Sequence, residues 1–155
     1  VLDEPTSSID VFSQAQILEL IQDLRERFHL TNILISHDLG VVHALADRIA
    51  IMYLGKIVEI GPADEIFNHP RHPYTKALFD SIPTLDMHGM SGLKTLEGQI
   101  PSPINPPPGC TFHQRCAFAC DKCRSVQPES TDLGGGHIVS CLRVNEIAAE
   151  LQSGG

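Results

Sequence analysis

The first 38 residues admit few folds. Val1-Leu2 runs into the acidic pair Asp3-Glu4, and Asn32 to Ser36, NILIS, is a second short apolar run of strand type. Between them, residues 11 to 28 carry apolar side chains at helical spacing, with Ile17, Ile21, Leu24 and Phe28 on one face. Asp10 stands where a helix N-cap is wanted. Strand, helix and strand over so short a stretch give a βαβ unit, with parallel strands and a right-handed crossover. The chain opens in mid-strand and without Met, and so reads as a piece of something longer.

The next segments are also short. LGVVHALAD reads as a second helix, and RIAIMYLGKIVEIG as a hairpin turning near Leu54-Gly55. GPADEIFNHP starts a helix with Pro62 at its first position, and HPYTKALFDSI is another, entered through Pro73. At Pro83 the texture changes. From there to Gly109 the chain is rich in Pro, Gly and Ser, the composition of an extended connector. All the cysteines follow, and Arg143 to Leu151 reads as one more short helix.

In parallel α/β sheets, ligands bind beyond the carboxyl ends of the strands. Asp3 and Glu4 lie at one such end, and Ser36, His37 and Asp38 at the other. A carboxylate there can hold Mg²⁺, which takes few protein ligands and keeps several waters. A second carboxylate can deprotonate an attacking water, and a histidine can contact a phosphate. Each residue alone also has a plain structural reading, as a solvated helix start or a surface imidazole. Their combination is more specific.

LDEPTSSID followed by ISHD resembles the ATP-binding-cassette ATPases over residues 1 to about 61. In that resemblance residues 1–4 end the Walker B strand, SSID is the D-loop and SHD the H-loop. It implies that Asp3 helps hold Mg²⁺, that Glu4 is the general base, that His37 contacts the γ-phosphate of ATP, and that Asp10 lies at a dimer interface. Ser8 departs mildly from the family's usual alanine. The chain has no G-x-x-x-x-G-K-[ST] loop, no Q-loop and no LSGGQ signature, so by itself it is expected not to hydrolyse ATP.

The five cysteines run Cys110-x5-Cys116-x3-Cys120-x2-Cys123-x17-Cys141. Clustered thiols without an export signal suggest a metal or cluster site ahead of disulfides. Zinc sites favour two tight C-x2-C pairs, and only CDKC has that spacing here. Uneven spacing suits an iron–sulfur site better. His113 and His137 flank the cysteines; they are potential zinc ligands, but read more simply as exposed loop residues. HPRHPY, with His69 and His72, is a His-rich turn of a kind that can bind metal, but its prolines restrict wrapping around an ion.

HPRHPYTKALFDSIP and GQIPSPINPPPGCTFHQRC resemble the carboxy-terminal extension of the ATPase subunits of oligopeptide, dipeptide and nickel importers, over residues 61 to 143. In some members four cysteines of this extension hold a 4Fe–4S cluster. The resemblance implies Cys110, Cys116, Cys123 and Cys141 as ligands and leaves Cys120 outside the pattern, as a substitute ligand or a free thiol. Few apolar residues follow Pro83, so metal–ligand bonds are expected to supply folding energy that packing lacks.

The expected architecture is α/β: the C-terminal half of a P-loop ABC ATPase domain (1–61), a helical junction (62–82), a connector (83–109), a cysteine-cluster module (110–143) and a tail (144–155). The resemblance implies an energy-coupling ATPase subunit, peripheral at the cytoplasmic face of the membrane. Its partners would be transmembrane permease subunits, a second ATPase subunit and, indirectly, an external solute-binding protein. The longest apolar run, Ile49 to Leu54, cannot span a bilayer. The net charge of −8 argues against nucleic acid as a partner. Two other readings stand beside this one. One is a soluble ABC-type ATPase of DNA repair or translation with a zinc module. The other is a regulatory module whose cluster senses oxidation.

Overall fold

The computed structural model describes residues 1–7, 9–81 and 98–152. Ser8 and most of the expected connector, up to residue 97, lie outside the described residues. Residues 98–109 form neither helix nor strand. The chain divides into two compact units, Val1–Asp47 and Arg48–Gly155.

The first unit is the expected βαβ. Strand β1 (Leu2–Asp3) pairs in parallel with β2 (Leu34–Ile35), Leu2 opposite Leu34 and Asp3 opposite Ile35. Helix α1 (Val11–Phe28) joins them. It starts where Asp10 accepts hydrogen bonds from the amides of Phe12 and Ser13, and ends at His29 in the left-handed region. Helix α2 (Leu39–Leu45) follows, capped by Asp38. Arg25 on α1 donates to the carbonyl of Leu45 and to Asp47, which fixes the two helices against each other.

In the second unit, β3 (Arg48–Tyr53) and β4 (Lys56–Pro62) form the expected hairpin. Leu54 and Gly55 both have positive φ, 45° and 74°, the backbone of the tight turn that suits twisted strands. Strict alternation sends Ile49, Ile51 and Tyr53 inward. Helix α3 (Ala63–Asn68) starts one residue later than expected, with Pro62 as its N-cap. Helix α4 (Pro73–Asp80) has Pro73 in its first turn, where a missing N–H costs nothing. Phe67 on α3 stacks on Phe79 of α4 with centroids 4.7 Å apart.

The sheet continues past the boundary drawn at residue 61. Strand β4 pairs with β6 (Ile138–Val139), which pairs with β5 (Thr131–Asp132), giving the antiparallel order β3-β4-β6-β5. Helix α5 (Asp121–Ser125) holds Cys123, and α6 (Ala148–Gln152) forms the shortened last helix.

The expectation that the extension buries little core is corrected. Phe112, Val139, Val144, Ile147 and Leu151 are all buried. Phe112 is 2% exposed. Its ring lies 5.3 Å from both Tyr53 and Tyr74 and 5.9 Å from His72. One aromatic therefore gathers hairpin, α4 and cysteine segment into a shared core, which composition counted segment by segment does not reveal.

Candidate functional site

Two clusters carry chemistry, one in each unit. In the first, Glu4 N donates to Ile35 O at 2.9 Å, the last rung of the parallel pair. The chain leaves both strands at the same rim. Glu4 takes a left-handed backbone, φ 47°, and its carbonyl accepts from the amide and hydroxyl of Ser7. Such a conformation costs a non-glycine residue energy and persists where the surrounding turn enforces it. It brings the Glu4 carboxylate to the imidazole of His37, Oε1 to Nδ1 at 2.8 Å. His37 is 79% exposed at its side chain and Glu4 37%, so both can meet a ligand. The hydrogen bond to Glu4 and its charge raise the His37 pKa above the ordinary histidine value. Asp3, exposed, ends β1 beside them.

Asp10 has its carboxylate occupied. One oxygen caps α1 and the other accepts from Ser13 Oγ at 2.7 Å. The Ser13 amide, followed by its hydroxyl, holds Asp10 below the usual carboxylate range. Asp38 does more than its neighbourhood suggested. It caps α2 through Gly40 N and Val41 N and accepts from Gln14 Nε2 at 3.1 Å, so α1 and the segment bearing His37 share one carboxylate. A polar residue just before an apolar helix signals the cap, but the reach of Gln14 across the fold has no sequence signature.

In the second unit, Cys110, Cys116, Cys123 and Cys141 line one pocket with Phe112, Phe118 and Ile147. Cys120 is not among its lining residues. All five thiols are free. Burial pushes Cys116 up to about 12 and Cys141 up to about 11, with the neighbouring pocket thiols adding to both shifts. Burial likewise raises Cys110 and Cys123. Among the described residues, no three Cys, His, Asp or Glu side chains converge as a single metal ion requires. The four thiols surround a space without meeting at a point.

The two flanking histidines are not exposed loop residues, and that expectation is corrected. His113 is 9% exposed and its Nδ1 hydrogen-bonds the Cys110 carbonyl at 2.8 Å. His137 is 6% exposed and pairs with Glu59 at 2.7 Å. Glu59, fully buried, also accepts from Arg71 N at 2.7 Å and His72 N at 3.0 Å. One carboxylate thus ties HPRHPY to β6. His72 caps α4 through Nδ1, accepting from Tyr74 N at 3.0 Å, and burial pushes its pKa down to about 4. Glu59 was missed because a Glu within VEIGP looks like an outward strand residue.

Residues 58–123 match the family model for the C-terminal region of oligopeptide/dipeptide transporters. The matched segment takes in most of β4, the HPRHPY turn, α4 and four of the five cysteines. Over nearly its whole length the chain also resembles transport ATP-binding proteins. It is 44% identical over 145 residues to a peptide import ATP-binding protein of Brucella ovis, covering 94% of this chain and 46% of that protein. It is 45% identical over 146 residues to the dipeptide transport ATP-binding protein DppF of Escherichia coli, covering 94% and 43%. The oligopeptide transport ATP-binding protein AppD of Bacillus subtilis is 45% identical over 150 residues, covering 97% and 45%. The chain spans about half the length of these relatives.

Proposed function

We propose that this chain supplies the Walker B, D-loop and H-loop residues of an ATPase that drives import of oligopeptides or dipeptides. The observation that carries this is the 2.8 Å contact between Glu4 and His37 at the ends of two parallel, adjacent strands. Asp3 would hold Mg²⁺, directly or through water, and the ion when bound neutralises phosphate charge. Glu4, hydrogen-bonded to its imidazole partner, accepts the proton of the hydrolytic water. His37, anchored at Nδ1, has Nε2 as its second nitrogen for the γ-phosphate of ATP. Asp10 fixes the start of α1, and with it the backbone of the D-loop at a dimer interface with a second ATPase subunit. In the full-length protein Glu4→Gln should retain ATP binding and lose hydrolysis by at least about 100-fold. Hydrolysis within a few-fold of wild type would remove Glu4 from this role.

The proposed setting is the cytoplasmic face of the membrane, held there by permease subunits, with an external binding protein delivering solute. Among the described residues no helix is long and apolar enough to cross a membrane. The names of the relatives favour peptides over nickel.

The second part of the proposal is a 4Fe–4S cluster on Cys110, Cys116, Cys123 and Cys141. One observation supports the fit: the donors are four soft thiols around one largely apolar pocket. When bound, the cluster would supply cross-links between α5, the 110–116 segment and Cys141. Protein purified without oxygen should contain iron and acid-labile sulfide in equal amounts. Zinc in their place would overturn the cluster.

A further inference from the structure

Cys120 has no place in the pocket, yet its sulfur lies 3.5 Å from that of Cys123. The local fold sets this pair up. Cys120 is the N-cap residue of α5 with extended backbone, and Cys123 stands in the first turn, its N–H donating to Cys120 O at 2.9 Å. The backbone of Cys123 is held from its other side. Its carbonyl accepts from Cys110 N at 2.9 Å, and Gly109 packs so closely that an added Cβ would meet that carbonyl at 2.5 Å. The backbone is therefore fixed while the sulfur is shared: Cys123 Sγ faces the pocket thiols and Cys120 at once. Cys123 is 7% exposed and Cys120 half-buried, so an oxidant from solvent reaches Cys120 first.

We propose that Cys120 and Cys123 form a reversible disulfide on exposure to a hydroperoxide, and that this bond withdraws Cys123 from the four-thiol set. In the first step the Cys120 sulfur attacks the distal oxygen of hydrogen peroxide. The O–O bond breaks, the remaining hydroxide leaves as water, and Cys120 becomes a sulfenic acid. In the second, the Cys123 sulfur attacks Cys120 Sγ, the S–O bond breaks, and hydroxide leaves with the Cys123 proton as a second water. Two thiols are oxidised and one peroxide is reduced. A small dithiol reverses the bond by exchange. The two sulfurs, 3.5 Å apart, have to approach to a bond of about 2.05 Å. The consequence for a cluster rests on the proposed ligand set; the disulfide itself does not.

The test uses the full-length protein in two forms, as purified without oxygen and stripped of metal with a chelator. Each is treated with equimolar hydrogen peroxide, alkylated and mapped by mass spectrometry. In stripped protein a single disulfide, Cys120 to Cys123, should form and be reversed by dithiothreitol. Cys120→Ser should abolish it while leaving iron and sulfide content at the wild-type level. Sulfinic acid on Cys120 beside alkylatable Cys123, or pairing among other cysteines, would overturn the proposal. A disulfide formed in loaded protein without release of iron would overturn the withdrawal of Cys123. If neither protein binds iron, the cluster reading falls, and the mapping of the stripped form still decides the disulfide.

Discussion

Glu4 and His37 show how a strained backbone and a charge pair work together. Left-handed φ at Glu4 aims its carboxylate along the strand rim, and the raised pKa of His37 records the contact. The imidazolium–carboxylate pair is fully present below the ordinary histidine value, and fades as pH rises through the raised one. An NMR titration of the His37 ring should therefore give a midpoint above 6.5, moving down in Glu4→Gln. A midpoint indifferent to that substitution would place the carboxylate elsewhere in solution. His72 behaves in the opposite sense. Neutral and buried, it caps α4 through an unprotonated Nδ1, with its pKa down to about 4. The unfolded chain takes up a proton near 6.5, so this contribution is intact above that pH and is lost as pH falls towards 4. Its full size is about 3 kcal/mol. In urea unfolding, wild type should lose stability across that window, and His72→Asn, which keeps an acceptor for Tyr74 N, should lose much less.

At the scale of elements, one buried carboxylate organises the second unit. Glu59→Ala would strip partners from two backbone amides and from His137 together, and should cost about 3 kcal/mol or more in chemical denaturation. Glu59→Gln, which keeps the acceptor oxygen, should cost less. Gly109→Ala places a methyl group 2.5 Å from Cys123 O in a left-handed backbone, so the thiol pocket should lose its geometry and, with it, the iron of the proposed cluster. Helix α1, its cap at Asp10, the βαβ unit and the turn at Leu54-Gly55 were legible because each rests on contacts near in sequence. The burial of His137 was not. It depends on β4 pairing with β6 and on the contact with Glu59, 78 residues away, and no local pattern encodes that. The four thiols that line the pocket are the ones the family resemblance implies as ligands. The reason Cys120 is left out, its position as the cap of α5, emerges only in three dimensions.

For the whole molecule, the two units differ in how well they close on themselves. In the first, Phe12, Phe28 and Ile33 are each more than 60% exposed. Large apolar side chains left in water favour association with one another. Residues 1–47 expressed alone should bind a hydrophobic dye and aggregate, whereas residues 48–152, with their shared aromatic core, should melt cooperatively. Calorimetry and dye fluorescence on the two fragments distinguish these outcomes. In the proposed function, hydrolysis that depends on Glu4 is coupled to peptide entry. The most direct measurement is uptake of a labelled dipeptide and a labelled oligopeptide by cells whose only copy of the full-length protein carries Glu4→Gln. Peptide uptake should fall to background while the protein remains at wild-type abundance. Uptake of both peptides at the wild-type rate would contradict the account.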